Sequence, residues 1–534
     1  MSFRKNEAQQ MSIFDSTFGL TEREKKALDN SWAKVFAEDI FPNIDENRFS
    51  VLYSSNDASR PNTPINVLVG AEIIKLLFDE SDDDMVENLM LDIRYKVALH
   101  TTSFKEQPLS DKSLSRFRRR CYDYEQTHGI DLYHDCVVGL AESVARMMNI
   151  DKRIRRMDSL MIESGIKKLS RMELIYTCIA KFVTFLHKND RDDLIGHMEH
   201  YYDPNDFNKV IYHCRDTEAN DKINVLMKDS QLLLDRCSGL FDEATEYQLL
   251  VRCLSEQTVF EDGQRRLRTK ADGGMTSEIL QNPSDPDATY REKAGKAHRG
   301  YSANIEESVG ANGSVVTEYQ VDKNTRSDSS FLKEHLEKLE CQEDTTTLIA
   351  DGAYSGDENT KLAESKNISL ITTELAGKDV DVSIGAFSLS EDGSKVNKCL
   401  CGNVPKNNWF NKKTGIITAS FDRNQCANCP YKIHCKPKIF KRVSKVTISQ
   451  KMVNRAITQS RMKTDEFKLL AKLRNGVETI PSILKNVYGV GRKSIRGLLR
   501  VKHYFGSSVA ALNFRKLFRF RKGLGHYALN PVLN

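Results

Sequence analysis

Three charged residues near the C-terminus have a spacing that could serve chemistry: Arg474, Glu478 and Lys485. On a helix that turns about 100° per residue, Glu478 lies roughly 40° from Arg474, and Lys485 lies about 20° from Glu478 on the other side. We therefore expect one helix face to present a carboxylate between two cations. Ordinary solvated helices carry similar pairs, each worth only about 0.2–0.5 kcal/mol, so the array needs partners elsewhere before it indicates a site.

Two further acids have the sequence context of metal ligands. Asp351 directly follows the apolar run Leu348–Ala350 and precedes a glycine-containing turn, so its carboxylate is expected at the tip of a strand. Asp158 lies inside the apolar segment Met157–Ile162, where an acid is costly unless it is paired or coordinated. Each alone is equally well explained as a helix cap or an ion-paired side chain. Together with Glu478 they would supply the hard oxygen ligands that two divalent metals need.

Asp287 is a second candidate for the first of these acids, because it lies closer to the predicted hairpin strands than Asp158 does. Asp285 and Asp287 stand among Pro and Ser, as turn residues do, whereas Asp158 is flanked by apolar residues typical of a strand. We prefer Asp158. That choice requires a helical insertion, about 169–268, between the first and second strands of the core.

Five of the twelve cysteines cluster late in the chain, with the spacing Cys399-x26-Cys426-x2-Cys429-x5-Cys435 and a fifth thiol at Cys401. A C-x2-C pair with two further cysteines suits tetrahedral Zn²⁺, and disulfides are rare in cytoplasmic proteins. Four thiolates leave no open coordination position, so the cluster predicts a structural zinc held by Cys399, Cys426, Cys429 and Cys435. The alternative is a set of free thiols.

The segment 488–534 is strongly basic. It contains ten Lys or Arg residues and no acid, and aromatic residues are interleaved with the cations. This composition is typical of a surface that follows DNA phosphates. The predicted DNA contacts within it are Arg492, Lys493, Arg496, Arg500 and Lys502. The alternative is a basic amphipathic tail docked on an acidic partner domain.

A mixture of helices and strands must position these residues. Apolar residues at three-and-four spacing predict helices through 21–150 and again from Leu169 to about Arg268, and 153–163 is compatible with a buried strand. The interval Gln264–His298 is predicted to be loop. The elements predicted next are a hairpin (Tyr301–Glu307 with Ser314–Val321), a helix (Ser329–Leu339), a strand (Thr346–Ala350), a helix (Asp357–Ser365) and a strand (Ile368–Thr373). This order favours a mixed α/β core.

A chain of 534 residues is too long for one compact core. We expect a helical N-terminal domain for DNA binding and assembly (1–150), the first part of the α/β core (151–375), a Cys-rich zinc-binding insertion (376–446), a core helix carrying Glu478 (447–487) and a basic DNA-binding segment (488–534). The N-terminus is polar and no apolar run approaches the roughly 20 residues of a bilayer span, so we expect a cytoplasmic protein without a membrane partner.

Three motifs stand together in this chain: Arg156-Met157-Asp158-Ser159, Ala350-Asp351-Gly352-Ala353-Tyr354 and Arg474-x3-Glu478-x6-Lys485. They resemble the motifs of bacterial insertion-sequence transposases with a DDE triad, the third matching the signature Y-x2-R-x3-E-x6-K. The segment Ser110–Arg118 is similar to the helical domain that opens one group of these enzymes. The resemblance covers nearly the full length of the chain.

The resemblance implies an RNase H-like catalytic core in which Asp158, Asp351 and Glu478 hold two Mg²⁺ (or Mn²⁺) ions. It implies cleavage at transposon ends and strand transfer into target DNA, carried out by a homo-oligomer on double-stranded DNA of the bacterial nucleoid. Arg474 and Lys485 would contact phosphates beside the metal site, Arg474 as a fork and Lys485 as a point charge.

Two residues depart from the family signature. The tyrosine of the signature falls at Ala471, and Pro481 is expected to strain or break the helix just after Glu478. Two other functions remain open: a non-catalytic zinc-dependent DNA-binding protein derived from such an enzyme, and an RNase H-like nuclease that cuts without joining. The non-catalytic protein would have lost its metal ligands, and the presence of all three acids argues against it. The nuclease would keep the same acids, so only an assay distinguishes it from a transposase.

Overall fold

The computed structural model describes residues 1–6, 15–56, 58–101, 107–212, 216–261, 264–293, 295–373 and 379–524. The chain divides into two compact units. Unit 1 comprises Met1–Lys152, Asp158–Ser327 and Thr479–Asn534, and unit 2 comprises Arg153–Met157 and Asp328–Glu478. Both units are therefore built from segments that are distant in sequence.

The helices are α1 (Glu22–Asp29), α2 (Trp32–Val35), α3 (Ile65–Phe78), α4 (Asp82–Leu91), α5 (Ile93–Ala98), α6 (Ser113–His128), α7 (Leu132–Met147), α8 (Arg171–Lys188), α9 (Asp192–Ile195), α10 (Asp206–Ile211), α11 (Asp216–Cys237), α12 (Thr245–Gln257), α13 (Asp328–Lys338), α14 (Asp357–Ser365), α15 (Arg423–Ala427), α16 (Lys432–Cys435), α17 (Gln450–Arg461), α18 (Asp465–Asn475), α19 (Thr479–Asn486) and α20 (Leu498–Arg521). The strands are β1 (Ile154–Glu163), β2 (Thr258–Glu261), β3 (Gln264–Leu267), β4 (Thr289–Lys293), β5 (Lys296–Gly310), β6 (Gly313–Lys323), β7 (Thr346–Ala350), β8 (Ile368–Thr372), β9 (Ser388–Leu389), β10 (Val396–Lys398), β11 (Asn407–Asn411), β12 (Ile416–Asp422), β13 (Lys438–Ile439) and β14 (Val443–Ser449).

The predicted elements of the α/β core are confirmed in type and order: β1, the β5–β6 hairpin, α13, β7, α14 and β8. Two predictions are wrong. The helices expected to reach about Arg268 end at Gln257, where β-branched and aromatic residues of β2 begin a hairpin with β3. The interval Gln264–His298, predicted to be loop, contains β3, β4 and the start of β5. Its many Lys and Arg residues concealed the strands, because they lie on exposed or half-buried strand positions.

Strand β1 is shared by the two units. In unit 1, β5 lies beside β1 and pairs antiparallel with β4 and with β6. In unit 2, the first residues of β1 pair in parallel with β7, Arg156 opposite Ile349, and β7 pairs in parallel with β8. An antiparallel hairpin followed by parallel strands makes this a mixed α/β arrangement, as predicted.

Helix α20 is a core element of unit 1. Phe505, Phe514 and Leu517 are fully buried, and the helix packs on α3, α7 and β6. Phe505, Phe514 and Phe518, three of the aromatic residues that suggested a DNA-binding segment over 488–534, are buried in this core. Aromatic side chains at helical spacing gain more from burial than from a solvated surface. The DNA contacts predicted for the exposed cations of the segment, such as Arg500, stay a prediction. Residues 525–534 of that segment lie outside the described residues.

Polar contacts fix the packing of this core. The ammonium of Lys516 on α20 lies 2.6 Å from the carboxylate of Glu307 on β5, with both side chains buried. His134 on α7 lies 2.6 Å from Glu318 on β6 and 3.3 Å from Asp135. Burial alone would lower the pKa of His134, but hydrogen bonds to Asp135 and Glu318 outweigh it and raise the pKa to about 10.

Helices α8 to α12 form the helical insertion within unit 1, with a core of their own. Unit 2 has two cores. One lies around β7 and includes Met157, Leu348 and Ala350. The other lies under the four-stranded sheet β11-β12-β14-β13 and includes Ile417, Phe421 and Cys426. The Cys-rich insertion predicted over 376–446 is thus a small β-rich module.

Candidate active site

Asp351 stands at the carboxyl end of strand β7, as its sequence context predicted. Its Oδ1 accepts a hydrogen bond from the backbone N–H of Ala353 and begins the short 3-10 turn Gly352–Tyr354. Tyr354 is fully buried and anchors that turn in the core of unit 2. The side chain of Asp351 is 35% exposed, so one carboxylate oxygen is held and the group is accessible.

Glu478 lies in a break between two helices, which corrects the single helix expected over 447–487. Helix α18 ends at Asn475, and α19 begins at Thr479. Pro481 falls in the first turn of α19, where the missing N–H of proline costs no helical hydrogen bond. The interruption expected just after Glu478 falls instead at residues 476–478, and Glu478 lies within it. Arg474, Glu478 and Lys485 do not share one helix face.

Arg474 lies between two of the predicted catalytic acids. Its Nη1 is 3.1 Å from Glu478 Oε1, and its Nη2 is 3.8 Å from Asp351 Oδ2. The side chain of Arg474 is 19% exposed, whereas that of Glu478 is 58% exposed. Unit 2 thus brings Asp351 and Glu478 to one cation, although the two acids are far apart in sequence.

Asp158 lies within β1, as predicted, with a half-buried side chain. Its Oδ1 accepts a hydrogen bond of 2.9 Å from the backbone N–H of Ser159. Asp158 begins the second segment of unit 1, whereas Asp351 and Glu478 belong to unit 2.

The competing acid Asp287 and its neighbour Asp285 have structural partners in unit 1. Asp285 is fully buried and accepts hydrogen bonds from Tyr301 Oη (2.5 Å) and from the backbone N–H of Gly497 (3.1 Å). Asp287 accepts a bond of 3.1 Å from the backbone N–H of Leu498. Both carboxylates thereby satisfy orphan N–H groups at the start of α20.

Lys485 lies in a cluster of cations in unit 1. Burial lowers the pKa of Lys485; the carboxylate of Glu163 opposes that shift, and the cations of Lys293, Lys296 and Arg492 add to it. Lys293 and Lys296 are paired across the tip of the β4–β5 hairpin and are exposed. A half-buried lysine beside other cations gains electrostatic stabilisation from an anion such as a phosphate. We call Lys293, Lys296, Lys485 and Arg492 the basic cluster.

The other predicted DNA-binding cations differ in their surroundings. Lys502 forms an ion pair of 2.6 Å with Glu125, and Lys493 pairs with Asp79. Arg496 donates to the carbonyl of Gly165 at 2.9 Å. Arg500 is exposed. Lys493 and Lys502 are therefore paired with acids of the N-terminal region, as the docking alternative for this segment proposed.

The five clustered cysteines line one small pocket in the β-rich module. The Sγ atom of Cys401 lies 3.5 Å from that of Cys399 and 3.2 Å from that of Cys429. Within the described residues, no group of three or more His, Cys, Asp or Glu side chains has the arrangement of a metal site. Among the described helices, none is long and apolar enough to cross a membrane.

Comparison with known protein families gives two matches. Residues 399–518 match the family described as a transposase DDE domain, and residues 23–120 match the family described as a transposase domain (DUF772). These two matches support an insertion-sequence DDE transposase. The transposase DDE domain supports a DNA-processing enzyme and suggests an RNase H-like core for the mixed sheet. No curated protein and no solved structure matches the chain.

The two matched regions cover part of the candidate site. The DDE-domain match contains Glu478, Arg474, Lys485 and the cysteines, while Asp158 and Asp351 lie outside it. Sequence reasoning missed Lys293 and Lys296, because a hairpin had not been predicted there. A Lys-x2-Lys pair around a glycine was the available signal for that hairpin tip.

Proposed function

We propose that this transposase cleaves DNA at transposon ends and transfers the exposed 3′ strand into target DNA. The observation that carries the proposal is the convergence of Asp351 and Glu478 on the guanidinium of Arg474. Two carboxylates from separate elements, held near each other and accessible, form a cation-binding arrangement. Arg474 neutralises their mutual repulsion while no metal is bound.

Asp158 is proposed as the first acid. Arg156 on β1 pairs with Ile349 on β7, and each of these residues stands two positions before an acid, Asp158 in one strand and Asp351 in the other. Asp287 is already engaged with the N–H of Leu498 at the start of α20. Both observations support Asp158 over Asp287.

The three acids fit Mg²⁺ or Mn²⁺ by donor chemistry, since both ions prefer carboxylate oxygens. When bound, two such ions would activate the attacking oxygen and neutralise charge on the leaving oxygen of a phosphodiester. Asp351 keeps Oδ1 on the backbone of Ala353, so Oδ2 is the oxygen available as a ligand. Glu478 is exposed enough to turn from Arg474 towards a cation. Arg474, once released, would donate two parallel hydrogen bonds to a substrate phosphate.

Double-stranded DNA is the proposed partner, and the basic cluster of unit 1 is its proposed phosphate contact. Three of its members, Lys293, Lys296 and Arg492, are exposed, and DNA binding would relieve the repulsion around Lys485. Because two transposon ends must be cut and joined together, we propose that a homo-oligomer acts on DNA of the bacterial nucleoid.

A structural Zn²⁺ is proposed for the cysteine pocket. The Sγ separations of 3.5 and 3.2 Å are near the ~3.8 Å between sulfurs that a tetrahedral site with Zn–S bonds of about 2.3 Å requires. Cys401 is therefore a ligand candidate beside Cys399, Cys426, Cys429 and Cys435. Zinc content of the purified protein should be about one ion per chain, lost in Cys429→Ser and kept in the control Cys341→Ser. A zinc-free wild type would refute this site.

The function is tested with full-length protein, Mg²⁺ and DNA carrying candidate transposon ends. A transposase should give both a nicked end and a strand-transfer product that joins the end to a second DNA. Nicking without joining would identify a nuclease. DNA binding without either product would identify a non-catalytic DNA-binding protein.

A further inference from the structure

Arg156 of β1 reaches the end of the helix that precedes Glu478. Its side chain is almost fully buried, and its Nη1 donates a hydrogen bond of 2.6 Å to the carbonyl oxygen of Leu473. Leu473 lies in the last turn of α18, where carbonyl groups have no i+4 partner; its carbonyl oxygen also accepts a longer bond of 3.3 Å from the backbone N–H of Gly476. A guanidinium at this position satisfies such a carbonyl and interacts favourably with the negative end of the helix dipole.

Gly476 makes room for this contact. Its backbone angles are ordinary, φ −67° and ψ −26°, so no left-handed conformation requires glycine here. A Cβ at this position would lie 2.1 Å from Nη1 and 2.8 Å from Cζ of Arg156. Any larger residue at position 476 must therefore displace the guanidinium, which is the flexible end of its side chain.

The contact acts on both acids of unit 2. Leu473 is followed by Arg474, whose guanidinium contacts Asp351 and Glu478, and the turn after it leads directly to Glu478. The backbone of Arg156 pairs with Ile349 on β7, the strand that ends at Asp351. One residue thus joins the strand beside Asp351 to the helix end before Glu478.

We propose that Arg156, with Gly476 as its complement, is a positioning residue that fixes where α18 ends and hence where Glu478 stands relative to Asp351. Neither residue belongs to the spaced signature of Arg474, Glu478 and Lys485. This inference rests on the proposed function for its kinetic consequence, but its structural part does not. Loss of such a supporting contact typically costs about 10–100-fold in metal affinity or activity.

The test compares Arg156→Ala, Gly476→Ala and the double variant in full-length protein. The control is Arg155→Ala, which removes the neighbouring buried arginine of β1 that donates to Gln342 at 3.0 Å. In both single variants the Mg²⁺ concentration for half-maximal nicking should rise about 10–100-fold. Because both changes remove the same contact, the double variant should be no worse than either single one. Arg155→Ala should leave the Mg²⁺ dependence unchanged.

A second measurement does not depend on catalysis. The backbone N–H groups of Gly476 and Val477 are bonded to the carbonyls of Leu473 and Arg474. Their hydrogen exchange should accelerate in Arg156→Ala and Gly476→Ala but not in the Arg155→Ala control. Unchanged exchange in Arg156→Ala and Gly476→Ala, or additive effects in the double variant, would overturn the positioning role. Accelerated exchange in these two variants, together with a wild type that neither nicks nor joins DNA, would instead refute the proposed function and leave the positioning role standing.

Discussion

Replacing Glu307 by Gln should destabilise unit 1 by about 3–5 kcal/mol, because it removes the negative charge that lies beside the buried ammonium of Lys516. The two groups lie 2.6 Å apart, with side chains 0% and 7% exposed, so water cannot screen the remaining charge. The hydroxyl of Ser314 lies 3.1 Å from the ammonium and offers a neutral acceptor. We therefore expect a loss near the lower end of that range.

The assay is urea unfolding of full-length protein followed by circular dichroism. The double variant Glu307→Leu with Lys516→Met removes both charges and should recover most of the stability. Glu22→Gln is the matched control, since the Glu22–Lys25 pair is 92% and 46% exposed and is expected to contribute about 0–1 kcal/mol.

The opposite outcome would restore the first interpretation of the basic segment. If Glu307→Gln left the urea midpoint unchanged while Lys516→Met weakened DNA binding, α20 would be a DNA-binding surface rather than a core helix. The reasoning from burial and ion pairing would then be refuted.

Three further predictions follow from the described contacts. Hydrogen bonds raise the pKa of His134 to about 10 against the effect of burial. The stabilisation that protonated His134 contributes is therefore complete below about pH 6.5 and is lost as the pH rises through 10. Urea midpoints should fall more steeply from pH 7 to 10 in wild type than in His134→Gln. Lys485→Gln should weaken DNA binding and reduce the slope of log affinity against log salt concentration by about 1. Lys502→Gln should leave that slope unchanged, because Lys502 is already paired with an acid. Equal slopes in the two variants would remove the basic cluster from the interface. Asp287→Ala should lower the melting temperature while keeping nicking activity, and the reverse result would make Asp287 the first acid.

The positions of Asp158 and Asp351 could be predicted because each depends on local sequence. An apolar run that contains or ends at an acid predicts a strand with a carboxylate at a defined place, and β1 and β7 confirm those strands. The order of the hairpin and the parallel strands followed from the same local patterns.

The helix break at Glu478 and the fate of the basic segment depend on contacts that are distant in sequence. Arg156 is 317 residues from Leu473, and Lys502 is 377 residues from Glu125. Helical periodicity shows which residues share a face, but it does not show which side chain reaches the end of the helix. Composition likewise counts cations without revealing the acids that neutralise them. Gly476 was the local signal of a break, although a glycine alone does not show whether a helix ends there or continues through it.

The most direct measurement is the rate of nicking and of strand transfer by Asp351→Asn, Glu478→Gln and Asp158→Asn, with DNA affinity and melting temperature measured on the same preparations. We expect each substitution to abolish both steps while binding and folding are kept, because each removes a charged oxygen ligand from one metal-dependent site. A variant that retains wild-type nicking and joining would contradict the assignment of that acid. Retention by all three would contradict the proposed catalytic site.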